Sequence, residues 1–257
     1  MFRLDGKSAI ITGGGSGIGR AIAHRFAKSG ARVHLVDLNK GQGESTAREI
    51  SSQGGEAQVY ECDVANHEQV NRVFAQILKQ GRVHILVNNA GIAHIGKLEG
   101  TSESDFDRIF RVNVKGVYNC MFASIGHMKA NGGGAILNLA SIAASSGLAD
   151  RFAYSMSKGA IVSMTYSVAK DYLADKIRCN CISPARVHTP FVDGYLRDNY
   201  PGREKEMFDR LAHTQPIGRM GDPAEIATLV LFLCSDEAGF ITGTDYPIDG
   251  GYLTLRG

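Results

Sequence analysis

Tyr154 and Lys158 stand four residues apart in the stretch AYSMSKGA. On a helix that spacing puts both side chains on one face. A free phenol has a pKa near ~10 and is a poor base at neutral pH, and a neighbouring ammonium lowers that value by favouring the phenolate. Ser141, at the end of the apolar run GAILNLAS, adds a hydroxyl thirteen residues upstream. A phenol, an ammonium and a hydroxyl together can move a proton to or from an alcohol oxygen. Near the amino end, TGGGSGIG (12–19) carries five glycines directly after the apolar residues Ala9, Ile10 and Ile11. Glycine suits neither a strand nor a helix interior. A cluster at a strand exit therefore predicts a turn in which a phosphate group touches bare backbone, with the amides of the following helix start completing the cradle.

Recurring β-rich runs position these groups. Strands are predicted over 8–12, 32–37, 57–62, 83–88, 134–140, 177–183 and 244–249. Between them lie segments of helical period, such as 18–29 with Ile22 and Phe26 four apart, and 67–79 with Val70, Val73, Phe74 and Ile77 on one stripe. Strands rich in Ile, Val and Leu that alternate with helices imply a parallel sheet covered on both faces. The expected fold is α/β and doubly wound, with about seven strands and the ligand crevice at their carboxyl ends. Gly13 to Gly17 then turn the chain out of the first strand, and Ser141 sits at the same edge of the sheet. Asp37 closes the second strand 18 residues after Gly19. A carboxylate there accepts hydrogen bonds from an adenine ribose diol and repels a 2′-phosphate, which favours NAD over NADP.

The rest of the composition narrows the class. Of 257 residues, 44% are hydrophobic and 21% charged, with no linker or low-complexity run, so one domain over 1–257 is expected. The formal net charge of +2 with scattered basic residues does not suggest nucleic-acid binding. The five cysteines show no CxxC pattern and suit buried thiols better than a metal site or disulfide. The amino-terminal stretch lacks a signal-peptide core, and no run has membrane-spanning length, so the expected location is cytoplasmic with no membrane partner.

In order along the chain stand TGGGSGIG (12–19), Asp63-Val64, NNAG (88–91), Asn113 in RVNVKG, Ser141, Tyr154-x-x-x-Lys158, SPARVHTP (183–190) and DGG (249–251). By this series, which covers nearly the whole chain, the protein resembles the short-chain dehydrogenases/reductases. One departure is Pro184-Ala185, where the family usually has Pro-Gly. The resemblance implies a Rossmann fold, an NAD cofactor and a homotetramer packed through helices around 103–130 and 152–174. Val117, Met121, Ile161, Met164 and Val168 are the apolar positions offered for that packing, although many of them must instead face the sheet. It also implies roles. Tyr154 is the general acid/base, Lys158 lowers its pKa and holds the nicotinamide ribose, and Ser141 hydrogen-bonds the substrate oxygen. Asn113 anchors a water that relays protons to Lys158. Gly13, Ser16, Gly17, Ile18 and Gly19 bind the pyrophosphate side of the cofactor. Asp63 and Val64 contact adenine, Asn89 the adjacent ribose region, and Val187 and Thr189 the carboxamide and phosphates.

Substrate recognition is expected from His94, in the loop after NNAG, and from Arg151, three residues before Tyr154. The pattern NAGxxHxG with an arginine at that place is similar to a branch holding cytosolic type-2 3-hydroxybutyrate dehydrogenases and 2-keto-3-deoxy sugar-acid dehydrogenases. That implies a small alcohol or ketone substrate with a carboxylate, a hydroxy acid or sugar acid. The segment 191–219, with Tyr195, Arg197, Arg203 and Arg210, has the length of the family's substrate lid. Three alternatives stand beside this reading. A sugar or polyol dehydrogenase is the first. A 3-oxoacyl-carrier reductase is disfavoured because it generally uses NADP, which Asp37 opposes. A non-catalytic dinucleotide-binding relative is disfavoured because all four catalytic residue types are present.

Overall fold

The seven strands form one sheet in the order β3-β2-β1-β4-β5-β6-β7, and every neighbouring pair is parallel. They are β1 (Ser8–Thr12), β2 (Arg32–Asp37), β3 (Glu56–Glu61), β4 (Ile85–Asn88), β5 (Gly134–Leu139), β6 (Ile177–Pro184) and β7 (Asp245–Ile248). The computed structural model describes residues 2–255. The expected strands are recovered to within two residues at each end, as are the helices α1 (Gly17–Lys28) and α3 (His67–Leu78). Further helices are α2 (Lys40–Ser52), α4 (Glu103–Ile109), α5 (Gly116–Ala130), α6 (Phe152–Asp171), α7 (Pro190–Asn199), α8 (Glu204–Ala212) and α9 (Pro223–Cys234).

Strand alternation explains why both faces are covered. Ile11, Val33, Leu35 and Val87 point to one side, where Ile22 and Phe26 of α1 and Ile226, Val230 and Leu231 of α9 close a core. Ile10, Val36, Leu86 and Ile136 point to the other, against Val70, Phe74 and Ile77 of α3, Val117 and Met121 of α5 and Ile161 of α6. The order of winding reverses between the parallel neighbours β1 and β4, so the connections leaving their carboxyl ends part to leave a crevice.

The core takes up the apolar positions offered for packing between subunits, as expected for many of them. Val117, Met121 and Ile161 are buried inside the chain itself, and Met164 and Val168 lean on the same cluster. The outer faces carry other residues: Phe110, Tyr118, Phe122, Phe152 and Tyr166 are exposed. The apolar pattern does not say which side of a doubly covered sheet a residue serves. All five cysteines are free and buried. Burial pushes the thiols upward, to about 11 for Cys62 and about 12 for Cys179 and Cys234. Among the described residues no helix is long and apolar enough to cross a membrane.

Candidate active site

The glycine-rich turn is shaped by contact as much as by conformation. Gly13 has φ +66°, and a Cβ there would lie 2.9 Å from Asn89 Nδ2 and 3.0 Å from Ala90 Cα. A Cβ on Gly19 would stand 2.1 Å from the Gly13 carbonyl oxygen, so the first turn of α1 can pack on the loop only without a side chain. Thr12 and Asn89 tie this turn to the end of β4. The Thr12 hydroxyl accepts from the amides of Asn89 and Ala90 at 3.0 Å each, and Asn89 Nδ2 donates to the carbonyls of Thr12 and Gly13 at 3.0 Å each. The Asn89 side chain is therefore committed to joining two strand ends.

A cleft of about 370 Å³ opens above the turn, lined by Gly13, Ser16, Gly17, Ile18, Asp37, Asp63, Val64, Asn89 and Thr189 of the expected residues. It also contains Leu38, Ile92, Val112 and Phe191, which the sequence reading did not single out. Leu38 is 70% exposed, a flat apolar platform beside Asp37, and its position next to that residue was the available signal. Asp37 is held at both oxygens: Oδ2 accepts from the Gly15 amide and Oδ1 from the Asn39 amide, each at 2.8 Å. Asp63 Oδ1 accepts from the Ala65 amide at 2.9 Å. No side chain caps the start of α1, where Ser16 is extended and exposed. Its first amides thus face the cleft, with the positive end of the helix dipole behind them. Bare glycine backbone, open helix amides and an anchored carboxylate suit the phosphates and ribose of a dinucleotide.

Two expected cofactor residues sit otherwise. Gly19 is buried beneath Gly13 and serves packing. Val187 bridges Gly221, and its side chain is in the core, so only its backbone remains for a ligand. Thr189 starts α7 with no side-chain cap, and a Cβ on Gly17 would come 3.5 Å from its methyl group.

The catalytic candidates converge farther along the same edge. Lys158 is buried, donates from Nζ to the Leu139 carbonyl at 2.7 Å and lies 5.6 Å from the centre of the Tyr154 ring. Burial without a counter-charge lowers its pKa to about 8. Ser141 caps a short 3-10 turn, Ile142–Ala144, and its hydroxyl faces the Tyr154 phenol. The expected depression of the Tyr154 pKa is not found. Burial raises it, and the Ser141 contact and the Arg151 charge oppose that only in part. The ammonium is turned to a carbonyl, so desolvation outweighs charge.

Asn113 lies in a π-helical turn, Phe110–Lys115, between α4 and α5. Its Oδ1 accepts from the Ile92 amide at 2.8 Å, and Nδ2 donates to the Ile92 carbonyl at 2.9 Å and Ser157 Oγ at 3.0 Å. Ser157 in turn donates to the Tyr154 carbonyl at 2.7 Å. The side chain is thus spent on clamping the loop after β4 to α6, which leaves its backbone for a water. Arg151 precedes α6, follows Asp150 at φ +57°, and bridges Gly96 through its backbone. Among the described residues it has no carboxylate within 4.0 Å. His94 is turned to α4, with Nε2 3.8 Å from Asp105 Oδ2, while its buried Nδ1 has no partner. The lid arginines Arg197 and Arg203 pair with Asp198 and Glu206. A second recess, about 450 Å³, lies at the opposite end of the strands beside Lys7, His34 and His84, away from all of these groups.

Residues 13–253 match the family model described as enoyl-(acyl carrier protein) reductase. The chain is 38% identical to the uncharacterized oxidoreductase YxbG of Bacillus subtilis, covering 98% of this chain and 93% of that one. It is also 38% identical to dehydrogenase/reductase SDR family member 6 of Aquarana catesbeiana, covering 98% and 99%. The structure of aldohexose dehydrogenase from Thermoplasma acidophilum superposes with a TM-score of 0.90 at 36% identity, covering 100% of this chain and 98% of that one. With the glycine turn, parallel sheet and Ser–Tyr–Lys cluster, these matches establish that the chain belongs to the short-chain dehydrogenase/reductase family. It is an oxidoreductase of the type that uses a nicotinamide cofactor.

Proposed function

We propose that the protein is an NAD-dependent dehydrogenase of a secondary alcohol that carries a carboxylate, a hydroxy acid or sugar acid. The bound nicotinamide supplies the hydride acceptor, and the chain supplies orientation and proton handling. In the oxidising direction the Ser141 hydroxyl and the Tyr154 phenol hold the alcohol oxygen. Tyr154 Oη takes its proton as the carbinol carbon gives up hydride, and Lys158 and the backbone of the Asn113 turn pass the proton outward. In reduction the neutral phenol donates. Asp37 supports NAD, because its fixed carboxylate would face a 2′-phosphate with like charge. Segment 191–219, which holds α8 and all of α7 but its first residue, serves as the substrate lid of a single domain, and the assembly is a homotetramer in the cytoplasm.

One observation carries the substrate class: Arg151 presents its charge to the Tyr154 phenol and has no acidic partner among the described residues. Arginine can grip a carboxylate bidentately. The neighbouring aldohexose dehydrogenase favours the second reading, a neutral sugar or polyol. A screen of hydroxy acids, aldonic acids and their parent sugars with NAD separates the two. Arg151→Ala should raise KM for acids, with a loss of about 2–3 kcal/mol for a charged hydrogen bond, and Arg151→Lys should recover part. Equal turnover of neutral sugars, with both classes equally affected by Arg151→Ala, refutes the acid reading. Tyr154→Phe should nearly abolish turnover and leave NAD binding within a few-fold; substantial residual activity would require another base.

A further inference from the structure

Asn119 of α5 is a residue the family motifs leave unassigned. It is completely buried and lies against the loop that joins β3 to α3, whose Cys62, Asp63 and Val64 line the cleft. Both ends of its carboxamide are used there. Nδ2 donates to the Val64 carbonyl at 2.8 Å, and Oδ1 lies 2.9 Å from His67 Nδ1. A carbonyl only accepts, so the amide end must face Val64, and Oδ1 then accepts from an N–H at His67 Nδ1. One side chain thus grips the loop near its start and again at the first residue of α3. Gly116, three residues earlier on the same face of α5, makes room for this approach. A Cβ there would stand 2.8 Å from Val64 Cγ2.

The bond to Val64 reaches the cleft through a single peptide unit. A trans peptide is planar, with its C=O and N–H pointing opposite ways, and the Val64–Ala65 peptide is trans. On one edge of this unit the carbonyl accepts from Asn119. On the other edge the Ala65 amide donates to Asp63 Oδ1 at 2.9 Å. The main chain of Asp63 is held separately: its amide donates to Gln69 Oε1 at 3.1 Å, and its carbonyl accepts from the Asn66 amide at 3.0 Å. Those bonds do not set the rotation of the next peptide. That rotation, and with it the aim of the Asp63 carboxylate, depends on Asn119. Without this donor the Val64 carbonyl is a buried acceptor that has lost a partner, a cost large enough to turn the unit.

We infer that Asn119 is a positioning residue for the base end of the cofactor: it orients the Val64–Ala65 peptide, which aims the Asp63 carboxylate in the cleft. The inference rests on the reading that the adenine lies at Asp63 and Val64. A carboxylate only accepts hydrogen bonds. Held in this way, it selects a base with an exocyclic amino group, as in adenine, over one with a carbonyl oxygen at that place, as in hypoxanthine.

The test measures calorimetric dissociation constants of ADP-ribose and of its hypoxanthine analogue on the purified protein, with no substrate and no turnover. The parent protein should prefer ADP-ribose at least tenfold. In Asn119→Leu that preference should shrink at least fivefold through weaker ADP-ribose binding, and the KM for NAD should rise with little change in kcat. Far-UV circular dichroism verifies folding, and Asn119→Ser, which leaves no bulky apolar group facing the loop, carries the test should the leucine variant not fold. Equal losses for the two ligands mark a merely structural role and overturn the inference. An unchanged preference in the Asn119 variants, with the preference abolished in Asp63→Ala, overturns the role of Asn119 and keeps the adenine at Asp63. If Asp63→Ala also leaves the preference unchanged, the adenine placement itself fails and the inference falls with it.

Discussion

The proton inventory of the Tyr154–Lys158 pair sets how the oxidation rate must vary with pH. Burial raises the phenol above its ordinary value and lowers the Lys158 ammonium to about 8. The first proton to leave the pair on raising pH therefore comes from Lys158, and the pair can then accept one from an alcohol. Because the phenol lies between, it can hand its own proton to the neutral amine while receiving the substrate's. The state competent for oxidation is the pair short of one proton, whichever atom holds the other. With a midpoint near 8, about 9% of the enzyme is in that state at pH 7 and about 91% at pH 9, roughly a tenfold rise in kcat/KM for oxidation. Carbonyl reduction needs the proton present and should fall over the same interval. The assay is initial rates of dinucleotide reduction and oxidation from pH 6 to 10 at fixed ionic strength. Replacing Lys158 by Ala removes the group that titrates first and should move the bend upward toward the phenol's own value, together with a loss of NAD affinity. A flat profile between pH 6.5 and 9.5, or the same bend near 8 in Lys158→Ala, would refute the assignment of that proton to the pair.

Asp37 should favour NAD over NADP by at least tenfold in kcat/KM, about 1.4 kcal/mol. Asp37→Ser should narrow that preference, whereas parental activity as good with NADP would show the carboxylate reading to be wrong. His34 on β2 is buried, with Nε2 3.0 Å from Ser8 Oγ, and its pKa is lowered to about 4, chiefly by burial and then by Arg32. Below pH 6.5 the unfolded chain binds the proton and the folded chain does not, so stability falls with pH, by about 2 kcal/mol between pH 7.5 and 5 for this residue. Urea unfolding followed by far-UV circular dichroism, the chain having no tryptophan, should show that slope diminish in His34→Leu; His84, lowered to about 4 as well, adds in the same direction. The exposed aromatic face of α5 and α6 should be buried in a homotetramer, and light scattering that gives a monomer at micromolar concentration would contradict the assembly.

The features legible in the sequence are those set within one or two turns of chain. Strand and helix alternation fixes a two-faced parallel sheet, since each run's periodicity reports its own burial. The helix spacing of Tyr154 and Lys158 and the glycine turn after β1 are equally local. The tertiary structure decided what depends on groups remote in sequence. Burial, by removing water from Tyr154 and Lys158 together, reversed the direction expected for the phenol. The Asn113 carboxamide became a clamp because Ile92 and Ser157, 21 and 44 residues away, meet it. Val117, Met121 and Ile161 turned inward because the sheet lies on that side of α5 and α6. Local pattern is written in consecutive residues, whereas pKa values and long-range hydrogen bonds arise from distances that only the packed chain defines.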